Sequence, residues 1–166
     1  EIWMVPQQEF HNQQFFEIAH KCVAKSVPFV WSPKFIEEIA SFFRKKGLNP
    51  NFDDKNFDTW RVAAIEPNLS LQKMLLPVIY ACEYAYRKKP EVFKEFNITN
   101  SGKLLKNNIL INLVKDLESH KDKKMIFDSR YNIVKVLIDF ADIIVSSQWG
   151  NALNYVYLDV VYFGTP

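Results

Sequence analysis

Between Asp128 and Gly150 the chain carries Ile133, Val134, Val136, Leu137, Ile138, Phe140, Ala141, Ile143, Ile144 and Val145. At about 100° per residue these side chains cover most of a helix's circumference. Asp128 or Ser129 can cap its start and Gly150 can end it. Asn132, Lys135, Asp139, Asp142 and Ser146 recur three or four residues apart, leaving a single polar strip. A helix near 129–148 with that pattern belongs inside a bundle. The expected fold is therefore all-α: a single compact bundle of six or seven helices around this central C-terminal element. Were its strip covered by other helices, Asp139 and Asp142 would need buried partners.

The remaining segments extend that expectation. Residues 1–6 are too short for a helix and end in Pro6, so they read as an extended arm. A helix over 7–25 would turn Phe15, Phe16, Ile18, Ala19, Cys22 and Val23 to one side. Ser32-Pro33 opens a helix carrying Phe35, Ile36, Ile39, Phe42 and Phe43, which Gly47 and Pro50 stop. Asp53 or Asp54 could cap a short helix with Phe57, Trp60, Ala64 and Ile65, ending before Pro67. The run 70–89 reads as a second central helix, kinked at Pro77 or split there into two consecutive helices. Pro90 starts a brief turn to Phe96, and Ser101 opens a helix to about His120. The 151–166 tail is open, because Val156, Tyr157, Val160 and Val161 suit a helix and a strand alike. The whole chain, 1–166, is the size of one domain. Only 4 glycines leave few sites for tight hairpins, which favours helices.

Charge excludes little. With 21 Lys and Arg against 19 Asp and Glu, the net charge of +2 implies no polyanionic partner by itself. Cys22 and Cys82 allow one disulfide at most, too few for a stapled secreted scaffold, and thiols on apolar faces suit an intracellular setting. The sequons at Asn68 and Asn97 argue weakly for secretion. No apolar run reaches the roughly 18 residues of a membrane span.

Three basic clusters stand out: Arg44, Lys45 and Lys46; Arg87, Lys88 and Lys89; and Lys121, Lys123 and Lys124. They could form an anion-binding face, with Phe42, Phe43, Tyr84 and Tyr86 available for stacking. Each cluster also falls at an expected helix C-terminus, where cations complement the dipole. His11 and His20 fall on opposite sides of one helix and cannot share a metal there, and His120 stands apart. Asp53, Asp54 and Asp58 lack the glycine and glutamate of a calcium loop. Ser101-Gly102-Lys103 lacks the upstream glycine of a phosphate loop, and Leu104 stands where a hydroxyl would bind magnesium. No catalytic, cofactor or metal residues emerge, and the chain is expected not to be an enzyme. The expected function is a non-catalytic helical protein–protein interaction module, with Trp3, Trp31, Trp60 and Trp149 near element ends as partner-binding residues. The alternative is a nucleic-acid or anion-binding domain using Arg44 to Lys46 and Arg87 to Lys89.

Overall fold

The computed structural model describes residues 1–4, 6–53, 58–66, 73–103, 106–149 and 154–166, with the backbone alone for 6–11. It is an α/β protein. The described elements, in chain order, are β1 (Ile2–Met4), α1 (Pro6–His20), β2 (Ala24–Ser26), α2 (Lys34–Arg44), β3 (Trp60–Ala64), α3 (Leu76–Lys88), β4 (Phe93–Ile98), α4 (Asn108–Val114), α5 (Glu118–Lys121), β5 (Met125–Phe127), α6 (Ile133–Asp139), β6 (Ile143–Val145) and α7 (Tyr155–Tyr162). A single 3-10 turn, Pro90–Val92, precedes β4. β1 and β2 pair in parallel with α1 between them in the chain. The other strands form one parallel sheet in the order β5-β4-β3-β6.

Burial on both faces explains why these strands resemble central helices in sequence. In β3, Val62 and Ala64 join a core with Val78, Ile79, Cys82, Leu110 and Val114, while Ala63 joins a second core with Ile36, Ala40, Val134 and Leu137. The same alternation sends Ile143 and Val145 of β6 to the first core and Ile144 to the second. The sheet is thus the middle of three layers, with α3, α4 and α5 on one face and α2, α6 and α7 on the other. Strands covered on both sides lose the polar alternation of a half-exposed sheet, and a segment apolar all round fits either a helix or a strand.

That ambiguity overturns the all-α bundle. The expected central helix over 129–148 is two elements. α6 stops at Asp139, and Ile143–Val145 runs as a strand whose backbone pairs with Val62–Ala64. β-Branched Ile143, Ile144 and Val145 pack well on a pleated surface and lose rotamer freedom in a helix. The expected short helix with Trp60, Ala64 and Ile65 is strand β3, and the turn expected up to Phe96 becomes β4. Asp54 and Phe57 lie outside the described residues. Pro77 falls in the first turn of α3, where a missing donor costs nothing, so no kink forms there. The helix expected over 101–120 is broken between Val114 and Glu118. The expected arm contains strand β1, and the first helix ends at His20, with Ala24–Ser26 running as β2. The open 153–163 segment is helical from Tyr155, with Asn154 Oδ1 accepting from the Val156 amide at 3.4 Å. The helix opened by Ser32-Pro33 forms as expected over Lys34–Arg44.

An ion pair fastens β3 to β6, the edge strand beside it. Asp142 is buried, and its carboxylate accepts from the Arg61 amide at 2.8 Å and from the Arg61 guanidinium at 2.6 Å. Its own amide donates to Arg61 O at 2.7 Å, and Arg61 Nη1 donates to Ile138 O at 3.1 Å. This is the covered case considered for the polar strip. Asp142 found a strand partner, while Lys135 and Asp139 pair along α6.

The topology locates a site. From β3 the chain moves outward through β4 to β5, then returns beneath α6 to place β6 on the other side of β3. The connections leaving β3 and β6 therefore diverge. In open α/β sheets, ligands settle in the crevice this divergence opens beyond the strands' carboxyl ends.

Candidate functional site

Glu66 stands two residues past the end of β3 and is fully buried. The segment Ser146-Ser147-Gln148 leaves the end of β6 beside it. Glu66 Oε1 accepts from the Ser146 hydroxyl, from the Ser147 amide at 3.2 Å and from the Tyr157 phenol at 3.1 Å. The Ser146 and Tyr157 hydroxyls also contact one another. Burial raises the Tyr157 phenol above its ordinary range, and the Glu66 charge adds to that, so the phenol stays a neutral donor. Glu66 Oε2 is equally buried and has no hydrogen-bond partner among the described residues. A buried carboxylate oxygen left in that state costs on the order of 1–3 kcal/mol or more, so its vacancy requires a reason.

Gln148 repeats the theme. Both of its amide atoms are buried, and neither has a partner among the described residues. The residue lines two cavities. One, of about 420 Å³, is lined by Ser146, Tyr157, Val160 and Thr165, and the other, of about 590 Å³, by Met74, Pro77, Tyr80 and Trp149. Both volumes lie in the range of small-molecule sites, and their walls are mainly apolar with a few polar groups. A smaller cavity of about 140 Å³ opens over the ends of β3 and β4, where Thr99, Asn100, Tyr131 and Asn154 surround it and Arg130 is its charged lining residue. Asn100, at φ 58°, donates its side-chain amide to Ile65 O at 3.0 Å and ties the β4 exit to β3.

Comparison with known proteins adds a family and no activity. A family model described as "Protein of unknown function (DUF2827)" matches residues 1–166. The chain belongs to this family. Comparisons with curated proteins and with solved structures each gave no match.

The residues singled out from sequence are scattered relative to this crevice. Trp149 lines the cavity of about 590 Å³ and is 83% exposed. Trp3 is exposed on β1, Trp60 packs on the first core, and Trp31 donates to Asp159 at 2.8 Å in the second layer. Arg44 binds Glu37 at 2.5 Å and Asn51 at 2.9 Å, and Lys46 sits 4.1 Å over the Phe42 ring, with Lys45 exposed beside it. Arg87 binds Glu83 at 2.7 Å, Lys88 sits 5.4 Å from the Tyr84 ring centre, and Lys89 is exposed. Arg87 to Lys89 and Lys121 to Lys124 precede β4 and β5, so both occupy the amino edge of the sheet, opposite the crevice. Arg44 to Lys46 end α2 in the other layer. Asn97 is buried in β4, where its amide donates to Phe140 O at 3.0 Å, so that sequon is closed to modification in the fold, and Asn68 lies outside the described residues. Cys22 and Cys82 are free thiols. Among the described residues no group of His, Cys, Asp and Glu could hold a metal ion, and no helix is long and apolar enough to cross a membrane.

Glu66, Ser146, Gln148 and Tyr157 were missed for one reason: the strands ending beside them were read as helices. A signal was present. Val62-Ala63-Ala64-Ile65 is an apolar run of strand length, and it ends on a carboxylate followed by Pro67, which marks a strand exit.

Proposed function

We propose that this protein binds a small hydroxyl-bearing molecule in the crevice at the carboxyl edge of its parallel sheet, between the exits of β3 and β6. The observation that carries this reading is Glu66 Oε2, buried where the strand order reverses and without a hydrogen-bond donor among the described residues. Oε1 is held by Ser146, Ser147 and Tyr157, so the carboxylate is aligned and one oxygen is left to accept from a ligand hydroxyl. A carboxyl group kept buried at such cost is more easily explained by binding than by stability, since an apolar residue there would support the fold better. Saturation-transfer NMR with a panel of pentoses, hexoses and nucleosides tests it. Binding by at least one class, weakened about ten-fold or more by Glu66→Gln and by the milder Tyr157→Phe, is expected. No binding across the panel, or binding indifferent to both changes in folded variants, overturns it.

One observation favours a second reading, the non-catalytic module that docks a protein partner. Val30, Phe35 and Ile39 are exposed and, with Trp31 and Tyr155, line an apolar groove of about 420 Å³ along α2. An amphipathic partner helix suits such a groove. Phe35→Asp would then abolish partner binding while leaving small-molecule affinity unchanged.

A further inference from the structure

The larger cavity of the crevice has a chemistry more specific than hydroxyl binding. Its wall combines two exposed aromatic side chains, Trp149 and Tyr80, with the edge of an amide, Gln148. The amide offers one donor, Nε2, and one acceptor, Oε1, side by side, and both are buried without a partner among the described residues. A planar side-chain amide of this kind pairs in two-point fashion with a ring that presents an acceptor next to a donor, the pattern on the edge of a nucleobase. Aromatic faces add sequence-tolerant stacking for the same ring. Met74, Leu76 and Pro77 supply the apolar remainder of the wall. Sugar hydroxyls, which donate and accept, could also meet the amide edge, but a sugar would leave the aromatic surface without a flat partner. Ser147 lines this cavity too, and its backbone amide donates to the buried Glu66, so the carboxylate lies one residue behind the same wall.

From this juxtaposition we infer that the ligand contains a nitrogen heterocycle, a nucleobase or its close analogue, whose edge pairs with the Gln148 amide and whose face lies on Trp149 or Tyr80. An attached sugar then extends toward Glu66. This inference rests on the crevice being a ligand site. Calorimetric titration of the folded protein with adenosine, uridine and ribose separates the two claims. The inference predicts that at least one nucleoside binds ten-fold or more tightly than ribose, and that Gln148→Leu and Trp149→Ala each remove about ten-fold of that preference without weakening ribose. Trp149 is on the surface, so the second variant keeps the test valid if the first fails to fold. Sugars that bind as well as nucleosides, or nucleoside affinity unchanged in both variants, overturn the heterocycle while leaving the crevice standing. Failure of all three probes to bind at millimolar concentration removes the crevice itself.

Discussion

Two buried glutamates with opposite hydrogen-bond inventories frame the molecule at the residue scale. Glu83 in α3 accepts from the Ser119 hydroxyl at 2.6 Å, from the amides of Glu118 and Ser119 at 2.8 and 3.1 Å, and from Arg87 at 2.7 Å. Burial pushes its carboxyl up, but these donors together outweigh that and hold it at about 2, against an ordinary 4.5. It replaces the backbone partners that the first turn of α5 lacks. A folded value below the unfolded one means that the charge stabilises the fold above pH about 4.5, and that this contribution is lost as pH falls toward about 2. Glu83→Gln should thus cost about 2 kcal/mol at neutral pH, shrinking across that acid window, as urea unfolding at several pH values would measure. A deficit independent of pH would show that packing, not charge, is what Glu83 supplies. Among the described residues Glu66 has donors on one oxygen only, and that contrast between two similar side chains is what marks it as a candidate site.

β3 and β6 are the elements on which the account depends, because the crevice exists only where they separate. The Arg61–Asp142 pair holds them together at the opposite end, with Asp142 buried. Removing one partner of such a pair strands a buried charge. Arg61→Met should cost about 3–5 kcal/mol, and the double variant Arg61→Met, Asp142→Leu should recover much of it, a non-additivity that chemical denaturation would read. Additive losses would mean that the pair contributes no coupling. Ile143→Asp should also be among the most damaging single changes, costing several kcal/mol by placing an unpaired charge against the first core, whose loss a thermal melt would register. What was legible from sequence follows from what each element buries. α2 was readable because it lies on the surface, with Phe35, Ile36, Ile39, Phe42 and Phe43 spaced for one helix and clear stop signals after it. β3 and β6 were not, because strands covered on both faces carry no period of two, and periodicity cannot separate them from a buried helix. Asp142 carried the missing hint: a polar strip on a wholly covered helix had demanded a partner, and the partner was a neighbouring strand.

At the scale of the whole molecule, the parallel order β5-β4-β3-β6 gives the two edges of the sheet different chemistry. The amino edge carries Arg87 to Lys89 and Lys121 to Lys124, where Arg87 is engaged by Glu83 and Glu118 and Lys121 approaches Asp116 at 3.9 Å. Charges already paired at helix ends have less to offer a phosphate backbone than free ones. Among the described residues the buried polar atoms without a hydrogen-bond partner are Glu66 Oε2 and the Gln148 amide at the carboxyl edge, where Gln148 lines two cavities, and His120 Nδ1 in α5. Backbone amide chemical shifts of isotopically labelled protein, recorded during titration with adenosine and separately with a short single-stranded oligonucleotide, test this division most directly. The account predicts that adenosine moves the resonances of Ile65, Glu66, Ser146 to Trp149 and Tyr157, while the oligonucleotide at moderate salt leaves the amino edge unmoved. Shifts confined to Arg87 to Lys89 and Lys121 to Lys124, with the surroundings of Glu66 silent to adenosine, would contradict it.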